Sequence, residues 1–309
     1  MGEGYMIKRA RLIYNPTSGR EEGKKKLADI LQRLDAAGIE TTTHATEGEG
    51  DASRSAADAI DRGYDLIIAA GGDGTINEVI NGMAIKEHRP PLGIIPLGTT
   101  NDFARALGIP RNWEDACDLI IRQETRAVDV GRANDTHFIN IAGGGSLTEL
   151  TYEVPSRLKT MIGQLAYYMK GLEKMIFQLR PTELKLKIDG HGEFHDEFML
   201  FLITNTNSVG GFEKLAPGAS IDDGLFDVIM LKKCNIAELI RLASMALRGE
   251  HVNDPHVIHI QSKRIEVTSS DYVQLNLDGE YGGTLPAVFE MLPRHLHIYA
   301  DLSGESTYR

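Results

Sequence analysis

Up to about Gly131 the chain alternates short β-rich runs with helical stretches, and no other feature narrows its possible folds as much. Ala10–Tyr14, Glu40–Ala45, Tyr64–Ala70 and Leu92–Pro96 read as strands; Glu21–Ala36, Asp51–Arg62, Thr75–Met83, Asn101–Leu107 and Trp113–Arg122 read as helices. Strand, helix, strand at this spacing predicts a parallel sheet covered by helices. Leu66-Ile67-Ile68-Ala69-Ala70 is apolar at consecutive positions, as a strand buried on both faces requires. Beyond Gly131 a helical stretch, Pro155–Leu179, precedes β-type segments at Thr182–Asp189, Phe194–Asn205, Leu225–Lys232, Val257–Thr268, Val273–Leu277, Ala287–Leu292 and His295–Ala300. The turn dipeptides Asp189-Gly190, Asp223-Gly224 and Asp278-Gly279 punctuate them, with one helix at Ile236–Arg248, so a second, mostly antiparallel domain is expected.

Three turns rich in Gly, Thr, Ser and Asn fall at strand ends in the first part: Asn15-Pro16-Thr17-Ser18-Gly19, Gly71-Gly72-Asp73-Gly74-Thr75-Ile76-Asn77-Glu78, and Pro96-Leu97-Gly98-Thr99-Thr100-Asn101-Asp102. In a doubly wound sheet these ends share one edge, where ligands bind. Glycines let backbone N–H groups approach an anion, and a helix start adds partial positive charge. No Gly-Lys-Ser/Thr follows and the Gly-x-Gly-x-x-Gly spacing fails, so neither standard phosphate fingerprint is present. Each turn alone is an ordinary loop; three on one edge read as a nucleotide polyphosphate site. Asp73, Asp102 and Asp129 lie near that edge and could hold Mg²⁺ directly or through water. Asp102 also reads as a helix N-terminal carboxylate and Asp129 as a strand-end turn residue.

Composition removes several classes. With 33 Lys+Arg against 44 Asp+Glu the formal charge is −11, which argues against nucleic acid as a partner. Cys117 and Cys234 stand in no paired motif, so neither a disulfide framework nor a zinc site is expected, and both read as thiols of a cytosolic protein. The longest apolar run, Phe198–Ile203, has the length of a strand rather than a membrane span. Lys8 and Arg9 are reached without an apolar stretch, and Met6 stands where a myristoylation motif wants Ser or Thr, so no secretory or acyl signal is expected. From Arg157 through Lys187 seven basic residues face two acidic ones. On a helix Leu158, Met161, Ile162, Leu165, Met169, Leu172 and Ile176 form an apolar stripe flanked by Lys159, Lys170 and Lys174. That pattern suits either lipid head groups or a solvated basic edge. His251, His256, His259, His295 and His297 lack metal-pair spacing and read as structural.

Asn15–Gly19, Gly71–Glu78, Pro96–Asp102, the stretch from Glu213-Lys214-Leu215-Ala216-Pro217 to Asp222-Asp223-Gly224, and Asp278-Gly279-Glu280-Tyr281-Gly282-Gly283 together resemble the diacylglycerol kinase catalytic family, most of all its soluble bacterial members. The resemblance implies an α/β nucleotide domain like that of NAD kinases and phosphofructokinases, a larger β-sandwich domain, and an active site in the cleft between them. Boundaries are then expected at 1–130 and 131–292, with the segment from about 293 to 309 returning to the first domain. By matched position it implies nucleotide contacts from Asn15, Pro16, Thr17, Ser18, Gly19, Thr46, Gly72, Asp73, Gly74, Thr75, Ile76, Asn77, Glu78 and Thr99, and a Mg²⁺–water network on Asp73, Asp102 and Asp129. A second Mg²⁺ position falls on Ser220, Asp223 and Leu225, the last through its carbonyl.

Glu280 matches the family's proton acceptor. A carboxylate within reach can take the proton of a lipid hydroxyl as the P–O bond forms, although Asp278 in the same turn competes for that part. Arg20 and Lys170 match positions used at membranes. The implied activity is transfer of the γ-phosphate of ATP to diacylglycerol, giving phosphatidic acid in bacterial phospholipid recycling. The implied enzyme is a cytoplasmic homodimer that visits the anionic inner face of the membrane. Other acceptors (a sphingoid base, phosphatidylglycerol), NAD kinase activity and a non-catalytic nucleotide-binding regulator are the alternatives. Pro96–Asp102 argues against NAD kinase, and Glu280 with the carboxylates argues against a mere binder.

Overall fold

The computed structural model describes residues 9–18, 22–146, 180–207 and 214–301. Gly19, Arg20, Glu213, Lys170 and the helix expected at Pro155–Leu179 lie outside them. The chain divides into two compact units: Met1–Val128 with Arg294–Arg309, and Asp129–Pro293.

The first unit carries β1 (Arg9–Tyr14), α1 (Glu22–Ala36), β2 (Glu40–Ala45), α2 (Asp51–Asp61), β3 (Leu66–Gly71), α3 (Asp73–Ala84), β4 (Leu92–Pro96), α4 (Asp102–Ala106) and α5 (Trp113–Arg122). Strand β1 pairs in parallel with β2 and β3, and β3 with β4. The end of the last strand, β15 (Ala287–Tyr299), joins β4 in parallel through Ile298 and Leu92. All six residues of β3 are buried, as its apolar run requires. Ile30 and Leu34 of α1 and Cys117 and Ile120 of α5 pack with Leu12, Leu66, Ile68 and Ile95 of the sheet. Local chemistry sets the helix ends: Asn112 Oδ1 accepts the Glu114 N–H at 3.0 Å, with acids in the first turn of α5 and Arg122 in the last, favourable to the helix dipole.

The second unit begins inside β5 (Thr125–Ala133) and continues through β6 (Thr136–Phe138), β7 (Ile141–Gly144), β8 (Thr182–Ile188), β9 (Gly192–Thr204), β10 (Phe226–Lys232), α6 (Ile236–Ala246), a short 3₁₀ turn (His251–Asn253), β11 (Val257–Ser262), β12 (Arg264–Ser269), β13 (Gln274–Leu277), β14 (Glu280–Thr284) and the start of β15. Its pairings are antiparallel: β14–β13–β7–β9–β8–β12–β15, with β10 also on β9 and β11 on β10. Residues of β8 alternate buried and exposed along its whole length. Phe138 and Phe226 stack at 5.5 Å, and Phe201 meets Phe289 edge-on at 6.1 Å. A capping box on Asn235 and Glu238 starts α6.

Three expectations change. Val257–Thr268 is two strands rather than one: at the break Ser262 Oγ lies 3.1 and 3.2 Å from the carbonyls of Asp189 and Arg264, to one of which it donates, in place of ladder bonds. Ala287–Leu292 and His295–Ala300 are one strand, running through Pro293 with an irregularity at Arg294, whose φ is 50°. Strands β5, β6, β7 and β14 are additional, and β7 and β14 are rich in glycine, which carries little strand signal.

Candidate functional site

In the first unit the three strand-end turns meet. Leu97 N–H donates to Gly71 O at 2.9 Å, Ser18 Oγ to Leu97 O at 3.3 Å, and Asn15 N–H to Ala70 O at 3.3 Å. A Cβ on Gly98 would stand 2.5 Å from Gly72 Cα, so the second and third turns touch backbone to backbone and only glycine fits. Asp73 locks them: its carboxylate accepts the N–H of Asn101 at 2.9 Å and of Asp102 at 2.8 Å. Asn101, at φ 49°, returns its side-chain amide to Gly71 O at 3.0 Å. Burial, and then the Asp102 charge, push the Asp73 carboxyl above its ordinary value, while the two amides oppose that shift. Asp102 pairs with Arg105.

Among the described residues no side chain caps the start of α3 at Gly72, and its first-turn amides form an anion-receptive helix N-terminus. Beside it lies a cavity of about 360 Å³ lined by Asn15, Thr17, Thr46, Gly74, Thr75 and Glu78, with Glu47, Gly48, Glu49 and Ala52 completing the wall. Amides and hydroxyls at the Gly74–Thr75 side suit phosphate oxygens; the acids at the other side suit hydroxyl donors such as those of a ribose. Glu78 also accepts the Ala52 N–H at 3.0 Å, anchoring α2. Thr17 N–H and Oγ1 both donate to Asn15 Oδ1, at 2.9 and 2.8 Å, closing the first turn. Pro16 is half-buried and Thr99 exposed. Ile76 is fully buried and its N–H goes to Gly72 O, and Asn77 is buried in the same helix, where its side chain meets Asn81. The Glu47–Glu49 wall was not anticipated, although glycines after β2 (Gly48, Gly50) repeat the pattern of the other turns.

In the second unit Asp129 sits within β5 rather than at a strand-end turn, and it is fully buried. Its N–H donates to Ile221 O at 2.7 Å and its carboxylate accepts the Gly224 N–H at 2.6 Å. The structure thus joins Asp73 to Asp102, and Asp129 to the Ser220–Leu225 turn. In that turn Asp223 Oδ1 accepts the Leu225 N–H at 2.9 Å, and Ser220 Oγ donates to Asp222 at 2.7 Å. Burial first, then the charges of Asp227, Asp129 and Asp222, push the Asp223 carboxyl up, against the Leu225 amide. Crowded hard oxygens of this kind fit a cation such as Mg²⁺. Among the described residues no three His, Cys, Asp or Glu side chains close a cage, so a shell there would be completed by the Leu225 carbonyl, the Ser220 hydroxyl and water.

The two acids of the 278–280 hairpin separate clearly. Asp278 and Gly279 have φ 52° and 96°, as a two-residue hairpin turn demands. The Asp278 carboxylate accepts three successive backbone N–H groups, from Ile139 at 2.7 Å, Asn140 at 2.8 Å and Ile141 at 2.9 Å. It is a clasp between β14's hairpin and the start of β7. Glu280, opposite Leu277 in the ladder, is exposed.

Residues 9–133 match the family model described as diacylglycerol kinase catalytic domain, and residues 149–300 match the YegS C-terminal NAD kinase beta sandwich-like domain. The chain is 62% identical over 295 residues to a diacylglycerol kinase of Bacillus subtilis (strain 168), covering 94% of this chain and 96% of that one. It is 52% identical over 293 residues to the diacylglycerol kinase of Staphylococcus haemolyticus (strain JCSC1435), covering 95% and 88%. A solved diacylglycerol kinase structure from Bacillus anthracis str. Sterne superposes with a TM-score of 0.75 at 27% identity, covering 96% and 98%. An NAD kinase from Archaeoglobus fulgidus in complex with ATP shares the fold alone, with a TM-score of 0.53 at 15% identity over 95% of this chain and 94% of that one. Interlocked glycine turns at parallel strand ends and an antiparallel unit bearing the Asp-Gly-Glu hairpin accord with these matches, and the chain belongs to the diacylglycerol kinase family of enzymes.

Proposed function

We propose that the protein transfers the γ-phosphate of ATP to the free hydroxyl of diacylglycerol, giving phosphatidic acid and ADP. The observation that carries this reading is the clasped pair of turns at Gly71–Asp73 and Gly98–Asp102 beside an uncapped helix start and a cavity of about 360 Å³. Such an assembly offers amides to phosphate oxygens without reorganisation. Thr17, Thr46, Gly74 and Thr75 bind the nucleotide, and the acids at Glu47 and Glu49 take its sugar hydroxyls. Glu280 accepts the acceptor's proton as its oxygen bonds to the γ-phosphorus and the bond to the β-phosphate oxygen breaks. Ser220, Asp223 and Leu225 would hold Mg²⁺, with Asp73, Asp102 and Asp129 in a water network, and the ion would supply charge neutralisation to the phosphates.

Relatives named diacylglycerol kinase at 62% and 52% identity support this acceptor over a sphingoid base, phosphatidylglycerol or NAD⁺. Lys170 and Arg20 are proposed to meet the anionic face of the membrane, with the enzyme working as a homodimer in phospholipid recycling. Among the described residues no helix is long and apolar enough to cross a membrane, which accords with such a visit. The test is purified protein with labelled ATP, Mg²⁺ and mixed micelles of diacylglycerol, with NAD⁺ and sphingosine in parallel. Label in lipid phosphate is expected; label in NAD⁺ alone would overturn the reading.

A further inference from the structure

We propose that Asp227, held by His259, and His251 are positioning residues that fix the two arms of the 214–225 loop for a divalent cation. The inference rests on the cation reading of Ser220, Asp223 and Leu225. That loop turns at Gly218 and Gly224, with φ 96° and 74°, a region glycine enters without steric cost, and it bonds Ala219 N–H to Ala216 O at 3.1 Å and Leu215 N–H to Asn207 O at 3.1 Å. Its middle hangs on Asp129, as described above. Its arms are held by histidines.

On the upstream arm, His251 Nε2 donates to Leu215 O at 3.0 Å. His251 is buried, and among the described residues its Nδ1 has no hydrogen-bond partner; the Leu215 carbonyl can only accept, so the proton belongs on Nε2, facing the loop. Burial also holds this imidazole below its ordinary pKa, consistent with a neutral donor. On the downstream arm, two residues past Leu225, the Asp227 side chain is 2% exposed and takes His259 Nε2 at 2.6 Å. Gln261 stands directly opposite Asp227 across the β10–β11 ladder and brings its amide to 3.4 Å of the carboxylate. A buried carboxylate is retained only with such partners. Asp227 therefore supplies negative potential to Asp223 from a fixed point, and His259 fixes that point. Outer partners of this kind typically change metal affinity about 10–100-fold when removed.

The experiment titrates the full-length protein with Mn²⁺ alone, read by electron paramagnetic resonance, alongside thermal unfolding of each variant. Asp223→Asn should lose the site. His259→Ala should weaken Mn²⁺ affinity at least about tenfold, and His259→Gln, whose amide reaches the same place, should restore most of it. Should His259→Ala not fold, His251→Gln and Asp227→Asn carry the test with the same expected loss. Wild-type Mn²⁺ affinity in the folded His259 and Asp227 variants, with loss in Asp223→Asn, would overturn the positioning role and leave the cation reading intact. Wild-type affinity in Asp223→Asn would overturn both.

Discussion

Replacing Asp278 by Ala removes one carboxylate and leaves three consecutive amides, 139–141, without their acceptor. A hydrogen bond to a charged group contributes about 1.5–3 kcal/mol, and an amide left unsatisfied costs about 1–3 kcal/mol. Asp278 is half-buried, so water reaches part of the vacated space. The expected loss is therefore about 3–5 kcal/mol, a large share of the roughly 5–15 kcal/mol that holds a typical domain together. Urea unfolding should show a lower midpoint at constant slope. Glu280→Gln is the control: its midpoint should match the wild type and its ATP affinity should be kept, while turnover falls at least about a hundredfold. The contrary outcome is an Asp278→Ala variant that unfolds like the wild type yet loses turnover as deeply as Glu280→Gln. Asp278 would then be the base and the clasp irrelevant.

Gly98→Ala places a Cβ 2.5 Å from Gly72 Cα; ATP affinity measured by calorimetry should drop at least about tenfold, with about 1–3 kcal/mol of stability lost to overpacking. Asp254, paired with Arg241 at 2.5 Å and hydrogen-bonded to His256, has its carboxyl lowered from 3.8 to about 2. Its contribution is complete above about pH 4 and is lost as pH falls toward 2, so the unfolding temperature of Asp254→Asn should be lower at pH 6 and converge with wild type near pH 2. Lys170→Glu should reduce activity on anionic vesicles more than on neutral micelles; equal loss on both would assign Lys170 to packing.

The parallel unit was legible because β3 is buried on both faces and its residues are apolar without interruption. The gathering of turns was legible for the same reason, since every parallel strand end lies on one edge. What the sequence hid was long-range. Asp278 and Glu280 are equivalent acids of one turn until the amides of Ile139–Ile141, more than a hundred positions away, are placed beside one of them. Asp129 looked like a turn residue because β5 mixes charged and glycine positions, and a buried carboxylate within a strand is recognisable only by its partner, Gly224 N–H. β14 gave no strand signal because Gly282 and Gly283 lack the branched side chains that announce one. The histidines gave no spacing signal because His251 and His259 serve a carbonyl and a carboxylate on other segments.

Strand β15 opens among the strands of the second unit and closes against β4 of the first, and His295 and Arg89 add bonds there, His295 Nε2 to Ala84 O at 2.9 Å and Arg89 Nε to His295 O at 2.9 Å. On the ribosome, then, most of the first unit is made early but must wait for its pairing with the end of β15 until everything in between has been made. Until then β4 lacks the neighbour that Ile298 supplies beside Leu92.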